Sequence, residues 1–317
     1  MGSGEGEIRE ICILGRSLRW TESGLEYTAD RKYRRMLMEQ HGLSEDSNPV
    51  VSPAVKAVGE PEEGDGEELG PEEARAFRAS GATLNYLGQD RSDIQYAVKE
   101  VCVEMSRPTV GGQKKIKRIV RYLAGAEEVV WRFREWSDEE DVGIEVFVDS
   151  DWAKGADRKS TSGGMVVLGG VGIKHWSRTQ KARALSSAEA EYYAIVSGTV
   201  EGLGVASLLE DLGWKVGIKV WTDSSAAKAA ASRRGHGRMR HVELKYLWVQ
   251  ELVRSGRIVL DKVPGVRNVA DHLTKGKGVS EVKGLLESVG AEMRMRSGSM
   301  WWRRDVEVQE VRLEKGW

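Results

Sequence analysis

Cysteine is close to absent from this chain: Cys12 and Cys102 are the two among 317 residues. They form neither a metal-ligand spacing nor a disulfide framework, which excludes a zinc module or a stapled secreted scaffold and agrees with a reducing compartment. No apolar run approaches the length of a membrane span, and the amino terminus lacks the apolar core of a signal peptide. The expectation is an unanchored protein inside the cell, cytoplasmic or nuclear, with no membrane partner. Net charge is lacking as well, at −1, but that sum conceals an uneven distribution. Residues 60–73 are strongly acidic, whereas 114–121 and 233–240 are basic, so a polyanion has somewhere to bind. What is present is ordinary: 40% apolar and 31% charged suits one large or two smaller globular domains.

The pattern along the chain predicts its elements. Ile11-Cys12-Ile13-Leu14 and Leu18-Arg19-Trp20 read as short strands, and residues 31–41 as a helix ended by Gly42. Residues 44–70, rich in Glu, Gly, Pro and Asp, read as a flexible linker. Helices follow over 71–87, 93–105 and 113–123. In the last, Ile116, Ile119, Val120 and Leu123 share one face, and Lys114, Lys115, Lys117, Arg118 and Arg121 the other. That basic face suits either phosphate contact or plain solvation. From residue 142 a three-stranded meander is expected, built on Ile144/Val146/Val148, on 163–168 and on 171–176, with Gly169-Gly170 as a tight turn. A helix over 187–212, a strand over 218–222, helices over 226–231 and 243–253, a strand over 257–263 and a helix from Asn268 complete a mixed sheet with flanking helices. Beyond 278 a helix-like stretch leads to Trp301-Trp302-Arg303-Arg304, read as a polar tail anchored by tryptophans.

Acids stand where these elements begin or end. Asp149 arrives at the end of the first strand of the meander, Asp223 closes Val220-Trp221-Thr222, and Asp271 opens the last helix. On the long helix, Ser186 followed three residues later by Glu189 fits a capping box, which commits the Glu189 carboxylate to helix initiation. Glu191, about 200° further round, is left to face the sheet. Singly, each acid has a structural explanation: Asp223 caps the next helix, Asp271 partners Asn268, and Asp149 and Asp151 are turn residues. Jointly they suggest a site. Clustered carboxylates repel and need a cation, and Mg²⁺ takes oxygen ligands. Two such ions can activate water and stabilise a leaving oxygen in phosphodiester cleavage, with no cysteine, serine nucleophile or organic cofactor.

Six segments carry a resemblance: Val148-Asp149-Ser150-Asp151-Trp152-Ala153, Arg158-Lys159-Ser160-Thr161-Ser162-Gly163, Ala184-Leu185-Ser186-Ser187-Ala188-Glu189-Ala190-Glu191-Tyr192, Thr222-Asp223-Ser224, Arg240-His241 and Ala270-Asp271-His272-Leu273-Thr274-Lys275. Over residues 142–277 they resemble the ribonuclease H domain of copia-type retrotransposon polyproteins. Upstream, Tyr86-Leu87-Gly88, Arg91-Ser92-Asp93-Ile94, Ser106-Arg107-Pro108 and Arg118-Ile119-Val120-Arg121-Tyr122-Leu123 resemble the segment that links the polymerase to that domain. The resemblance implies a mixed α/β architecture: a ribonuclease H-like five-stranded mixed sheet with flanking helices, preceded by a smaller α/β remnant of a reverse transcriptase. It implies residues 1–43 as residual reverse transcriptase, 44–70 as an acidic linker, 71–141 as a helical connection segment, 142–277 as the ribonuclease H-like domain and 278–317 as a tail.

The resemblance also implies Mg²⁺-dependent cleavage of the RNA strand in RNA–DNA hybrids, with two ions and Mn²⁺ as a substitute, leaving a 3′-hydroxyl and a 5′-phosphate. Asp149, Glu191, Asp223 and Asp271 become the metal-binding acids: Asp149 bridges both ions, Glu191 and Asp223 complete one, and Asp271 the other. Arg158, Ser160, Thr161, Ser187, Ser224, Arg240 and His241 are the candidate nucleic-acid contacts. A plain polar loop is the alternative for 158–161, and a packed helix-start residue for His241. Two departures matter. The aspartate pair of a polymerase palm is absent, so the amino-terminal part resembles the truncated end of a polymerase without polymerising ability, and the missing upstream reverse-transcriptase segments are an expected partner. Val263-Pro264-Gly265-Val266-Arg267 stands where many ribonucleases H carry a mobile histidine. An inactive nucleic-acid-binding remnant is the alternative function. An integrase or transposase is disfavoured by the order of the acids, with a helical Glu second and a fourth acid late.

Overall fold

The computed structural model describes residues 9–54, 63–135, 142–154, 157–237, 241–242 and 246–296. Arg240, the Trp301-Trp302-Arg303-Arg304 stretch and the first residues of the helix expected over 243–253 lie outside them. The chain divides into two compact units, one of residues 1–134 and 276–317, the other of 135–275.

In the first unit, β1 (Glu10–Ile13), β2 (Arg16–Thr21), β3 (Gly24–Ala29), β4 (Ala126–Phe133) and β10 (Ala291–Met295) form an antiparallel sheet in that order. Its helices are α1 (Arg31–Gln40), α2 (Pro71–Leu87), α3 (Ser92–Val103), α4 (Val110–Gly125) and α8 (Val279–Glu287). The amino-terminal stretch, the helical stretch and the tail thus contribute to one sheet, and β3, β4 and β10 are additions to what the sequence predicts. β10 alternates Ala291 and Met293 inward with Glu292 and Arg294 outward, a strand where a polar tail was expected. On α4, Ile116, Ile119, Val120 and Leu123 are fully buried. Four of the five residues of its basic face are engaged within the unit: Lys114 pairs with Asp65 at 2.9 Å, Lys115 with Glu104, and Arg118 and Arg121 donate to the carbonyls of Ser52 and Asn48, both at 3.1 Å, while Lys117 is exposed. These bonds favour packing over phosphate contact for that face. They also anchor the described parts of 44–70, as does the bond from Val279 N to Val51 O at 2.7 Å.

The second unit holds the site. β5 (Ile144–Asp151), β6 (Thr161–Leu168) and β7 (Val171–Thr179) form the antiparallel meander; β8 (Ile218–Thr222) and β9 (Val259–Lys262) lie parallel to β5, giving the order β7-β6-β5-β8-β9. Gly169 and Gly170 both take positive φ, 55° and 81°, as a two-residue primed turn requires. The helices are α5 (Ser187–Asp211), α6 (Ser225–Ser232) and α7 (Trp248–Arg254). Ile144, Val146, Val148 and Val220 meet Tyr192, Ile195 and Val249 in the core. Gly198 allows the close approach of α5 to β5, since a Cβ there would meet Val148 Cγ1 at 2.3 Å. By length and composition α5 is apolar enough to cross a membrane, contrary to the sequence reading; here it is the core helix of this sheet.

Candidate active site

The strand alternation of β5 buries Ile144, Val146 and Val148 on the α5 side and sends Asp149 to the other face near the strand's end, 4% exposed. Across the ladder Asp149 faces Gly163 of β6. A Cβ at Gly163 would meet Thr274 Cγ2 at 2.7 Å and Leu273 Cβ at 2.8 Å, so the missing side chain lets residues 273–274 approach the strand. There the Thr274 hydroxyl donates to Asp149 Oδ2.

Asp223 follows β8, the parallel neighbour of β5. Ser224, not Asp223, caps α6, accepting from Ala227 N at 3.2 Å, which leaves the Asp223 carboxylate for other work. Glu191 sits in the second turn of α5. Its Oε1 accepts from Ser150 N at 3.2 Å, while Oε2 is buried with no hydrogen-bond partner among the described residues. Ligand oxygens of Asp149, Glu191 and Asp223 all lie within 4.8 Å of one another.

Asp271 comes from a short 3₁₀ turn, Val269–Leu273, where a helix start was expected. Fully buried Asn268 explains the turn: its side-chain NH₂ donates to Val148 O at 2.9 Å, and its carbonyl oxygen accepts from Ala270 N at 3.1 Å. One amide thus ties the last acid's turn to the strand that carries the first. Asp271 lies outside the three-acid set but close enough for its charge to act on Asp149 and Asp223, and it pairs with Lys275.

Burial dominates the electrostatics. It pushes the Asp149 carboxyl up to about 7; repulsion from Asp271 and Asp223 adds to it, and the Thr274 bond and Lys275 oppose it. Glu191 is pushed up to about 8 by burial and by repulsion from Asp149 and Asp223. Asp223 is raised by burial and by Asp271. Crowded oxygens, shifted carboxyls and one unpartnered buried oxygen fit a hard divalent cation.

The remaining candidates are dispersed. Arg158 is exposed with a left-handed φ of 58°. Ser160 is buried and accepts from Ala153 N at 3.2 Å, and Thr161 is buried at the start of β6. Ser187 is exposed at the head of α5. His241 Nε2 donates to Glu189 Oε2 at 2.8 Å. Glu189 also accepts from Leu185 N at 3.1 Å, one residue before the cap. Sequence reasoning named Asn268 as the partner of Asp271 and gave no role of their own to Thr274 or Lys275. The last two lie inside the Ala270 to Lys275 segment, where a hydroxyl and an ammonium three and four residues after an acid were the available signal.

A three-stranded antiparallel meander followed by two parallel strands, with acids at the ends of its first and fourth strands and on the intervening helix, defines a ribonuclease H-like domain. No protein-family model matches the chain. It is 32% identical over 203 residues to the retrovirus-related Pol polyprotein from transposon RE2 of Arabidopsis thaliana, matching 63% of this chain and 14% of that one. With the corresponding polyprotein from transposon RE1 of the same plant it is 30% identical over 218 residues, 68% of this chain and 15% of the other. The N-terminal RNase H domain of a Mycobacterium tuberculosis protein, solved as a fusion with maltose binding protein, is similar with 19% identity and a TM-score of 0.31, covering 46% of this chain and 98% of that one. The chain is a homologue of the retrovirus-related Pol polyproteins of plant transposons, consistent with a copia-type Pol fragment, and it spans about a seventh of the length of each of these two polyproteins.

Proposed function

We propose that the acid-bearing unit is a ribonuclease H, an endonuclease that hydrolyses the RNA strand of RNA–DNA hybrids within a retrotransposon protein of the cytoplasm or nucleus. The observation that carries this reading is the convergence of Asp149, Glu191 and Asp223 oxygens within 4.8 Å of one another. Those three carboxylates would hold divalent ions, with Asp271 beside them completing the second position. Bound there, a pair of Mg²⁺ or Mn²⁺ ions would supply Lewis acidity for the attacking water and the leaving oxygen. The chain's own residues do the positioning. Thr274 holds one Asp149 oxygen, the Ser150 amide holds one Glu191 oxygen and leaves the other, and Lys275 balances Asp271. Hydrolysis adds water's oxygen to phosphorus and leaves a 3′-hydroxyl and a 5′-phosphate. On the substrate side, Arg158 and Ser187 are the exposed polar groups for phosphate contact, while Ser160, Thr161 and Ser224 shape the backbone that presents them.

Incubating the chain with an end-labelled hybrid and Mg²⁺ should yield RNA-strand cleavage that chelator abolishes and that Asp149→Asn reduces by about a thousandfold or more, as loss of a metal-binding catalytic group does. A parent that binds the hybrid without cutting it would instead identify the inactive remnant.

A further inference from the structure

Lys275 follows Asp271 at i,i+4, and its ammonium pairs with Asp271 Oδ1. At that spacing an ion pair is ordinary on the surface of a helix, but this one differs in two respects. The ammonium also faces acids beyond its partner: its charge acts on Asp149 and Asp223, and those of Asp149 and Asp151 act on it in return. The neighbouring cations, moreover, are committed, Lys154 to Asp151 at 2.9 Å and Lys262 to the Ser225 hydroxyl at 2.6 Å. Carboxylates gathered in this way repel one another unless a positive charge stands among them. In the described structure Lys275 supplies it.

The turn that carries the pair does not depend on it. Asn268 holds the start of the turn through Val148 O and Ala270 N. Thr274, fully buried, holds its end: the amide donates to Asp271 O at 3.4 Å and the hydroxyl to Asp149 Oδ2. The Lys275 side chain, by contrast, is 45% exposed on a flexible stem, against 13% for Asp271. Its ammonium can therefore leave while the carboxylate stays in place. Asp271 is also the acid that stands outside the three whose oxygens lie within 4.8 Å of one another. A divalent ion drawn to Asp271 meets an ammonium already on one of its oxygens, and two cations cannot share that oxygen without repulsion.

We infer that Lys275 is the resident counter-cation of the Asp271 position, so that a divalent ion binds there in competition with its ammonium and more weakly than one held by Asp149, Glu191 and Asp223. The inference rests on the metal-binding part of the nuclease reading above and makes its two ion positions unequal. The site fills in two steps, and this lysine, acting through Asp271, sets the concentration of free ion at which the second step occurs.

The test uses the full chain and Mn²⁺ alone, with bound ions counted from the paramagnetic resonance of the free ion; hybrid cleavage is followed separately against Mg²⁺ concentration. The parent should bind one Mn²⁺ tightly and a second about tenfold or more weakly. Lys275→Met keeps the stem and removes the charge. It should tighten the weaker step about tenfold, leave the tighter one within about threefold, and lower the Mg²⁺ concentration for half-maximal cleavage. Lys275→Arg, which keeps the charge, should bind like the parent. Asp271→Asn should lose the weaker step, and adding Lys275→Met to it should change nothing further. An unchanged weaker step in Lys275→Met overturns the inference. So does equal tightening of both steps, or an effect that survives in Asp271→Asn, because either marks a general field and not competition for Asp271. A parent that binds Mn²⁺ in two unequal steps yet leaves the hybrid intact overturns the nuclease reading and supports the inference; one that binds no Mn²⁺ overturns both.

Discussion

Without a divalent ion, the acid cluster should make the fold weaken as pH rises, and replacing Asp149 by asparagine should remove much of that weakness. Burial and the neighbouring acids push the Asp149 carboxyl from 3.8 to about 7. The folded protein keeps that proton after the unfolded chain has released it, so stability falls as pH rises from about 4 to about 7 and the loss is complete above that. A shift of about three units, at roughly 1.4 kcal/mol per unit, sets an upper figure of roughly 4 kcal/mol. Glu191, pushed from 4.5 to about 8, acts in the same direction through its own window. Asp149→Asn deletes one charge and relieves Glu191 and Asp223. Urea unfolding in chelator, followed by circular dichroism, should find the variant no more stable than the parent at about pH 4.5 and roughly 2–4 kcal/mol more stable at about pH 8.5. Saturating Mg²⁺ should then stabilise the parent at the higher pH more than the variant. If the difference between parent and variant stays flat across this range, the claim that these carboxylates crowd one buried pocket is refuted.

Thr274→Val keeps the side chain's shape but removes the donor to Asp149 Oδ2; steady-state hybrid cleavage should fall about tenfold, with Thr274→Ser restoring it. Gly163→Ala places a Cβ 2.7 Å from Thr274 Cγ2 and 2.8 Å from Leu273 Cβ, so urea unfolding should show a loss of about 1–3 kcal/mol and calorimetry weaker Mg²⁺ binding. In the other unit, Arg91 is buried, pairs with Asp93 at 2.7 Å and donates to the carbonyls of Ala126 and Glu127. Arg91→Ala strands a buried carboxylate and should destabilise that unit by about 3–5 kcal/mol in the same assay.

What was legible in the sequence was what local pattern encodes. The alternation Ile144/Val146/Val148, the Gly169-Gly170 turn and the apolar run ending at Thr222 each stand in one short window, and each specifies its strand. Ser186 announces the start of α5 in the same way. β4 and β10 escaped because their evidence is a pairing between distant segments: Ala291 faces Trp131 and Met293 faces Val129. β4 follows α4 with no turn between them, since the helix ends at Gly125 and the strand begins at Ala126. In β10 the outward Glu292 and Arg294, read as polar tail, are charges that Arg132, Glu26 and Glu128 answer across the sheet.

The acids divide along the same line. Asp149, Glu191 and Asp223 sit near ends of elements whose patterns are local, and the pairing of β5 with β8 and the packing of α5 on that sheet bring them within reach of one another. Asp271 depends on more. Its 3₁₀ turn is started and placed by Asn268, which spends both ends of its amide, one on Ala270 N and the other on Val148 O, 120 residues away. Thr274 and Lys275 then hold Asp149 and Asp271 from consecutive positions. An acid can be found from where it stands, but which of its oxygens remains available is decided by donors that arrive only when the turn closes on β5. Thr274→Val, which leaves every acid in place, is therefore a sharper probe of the site's geometry than removal of any carboxylate.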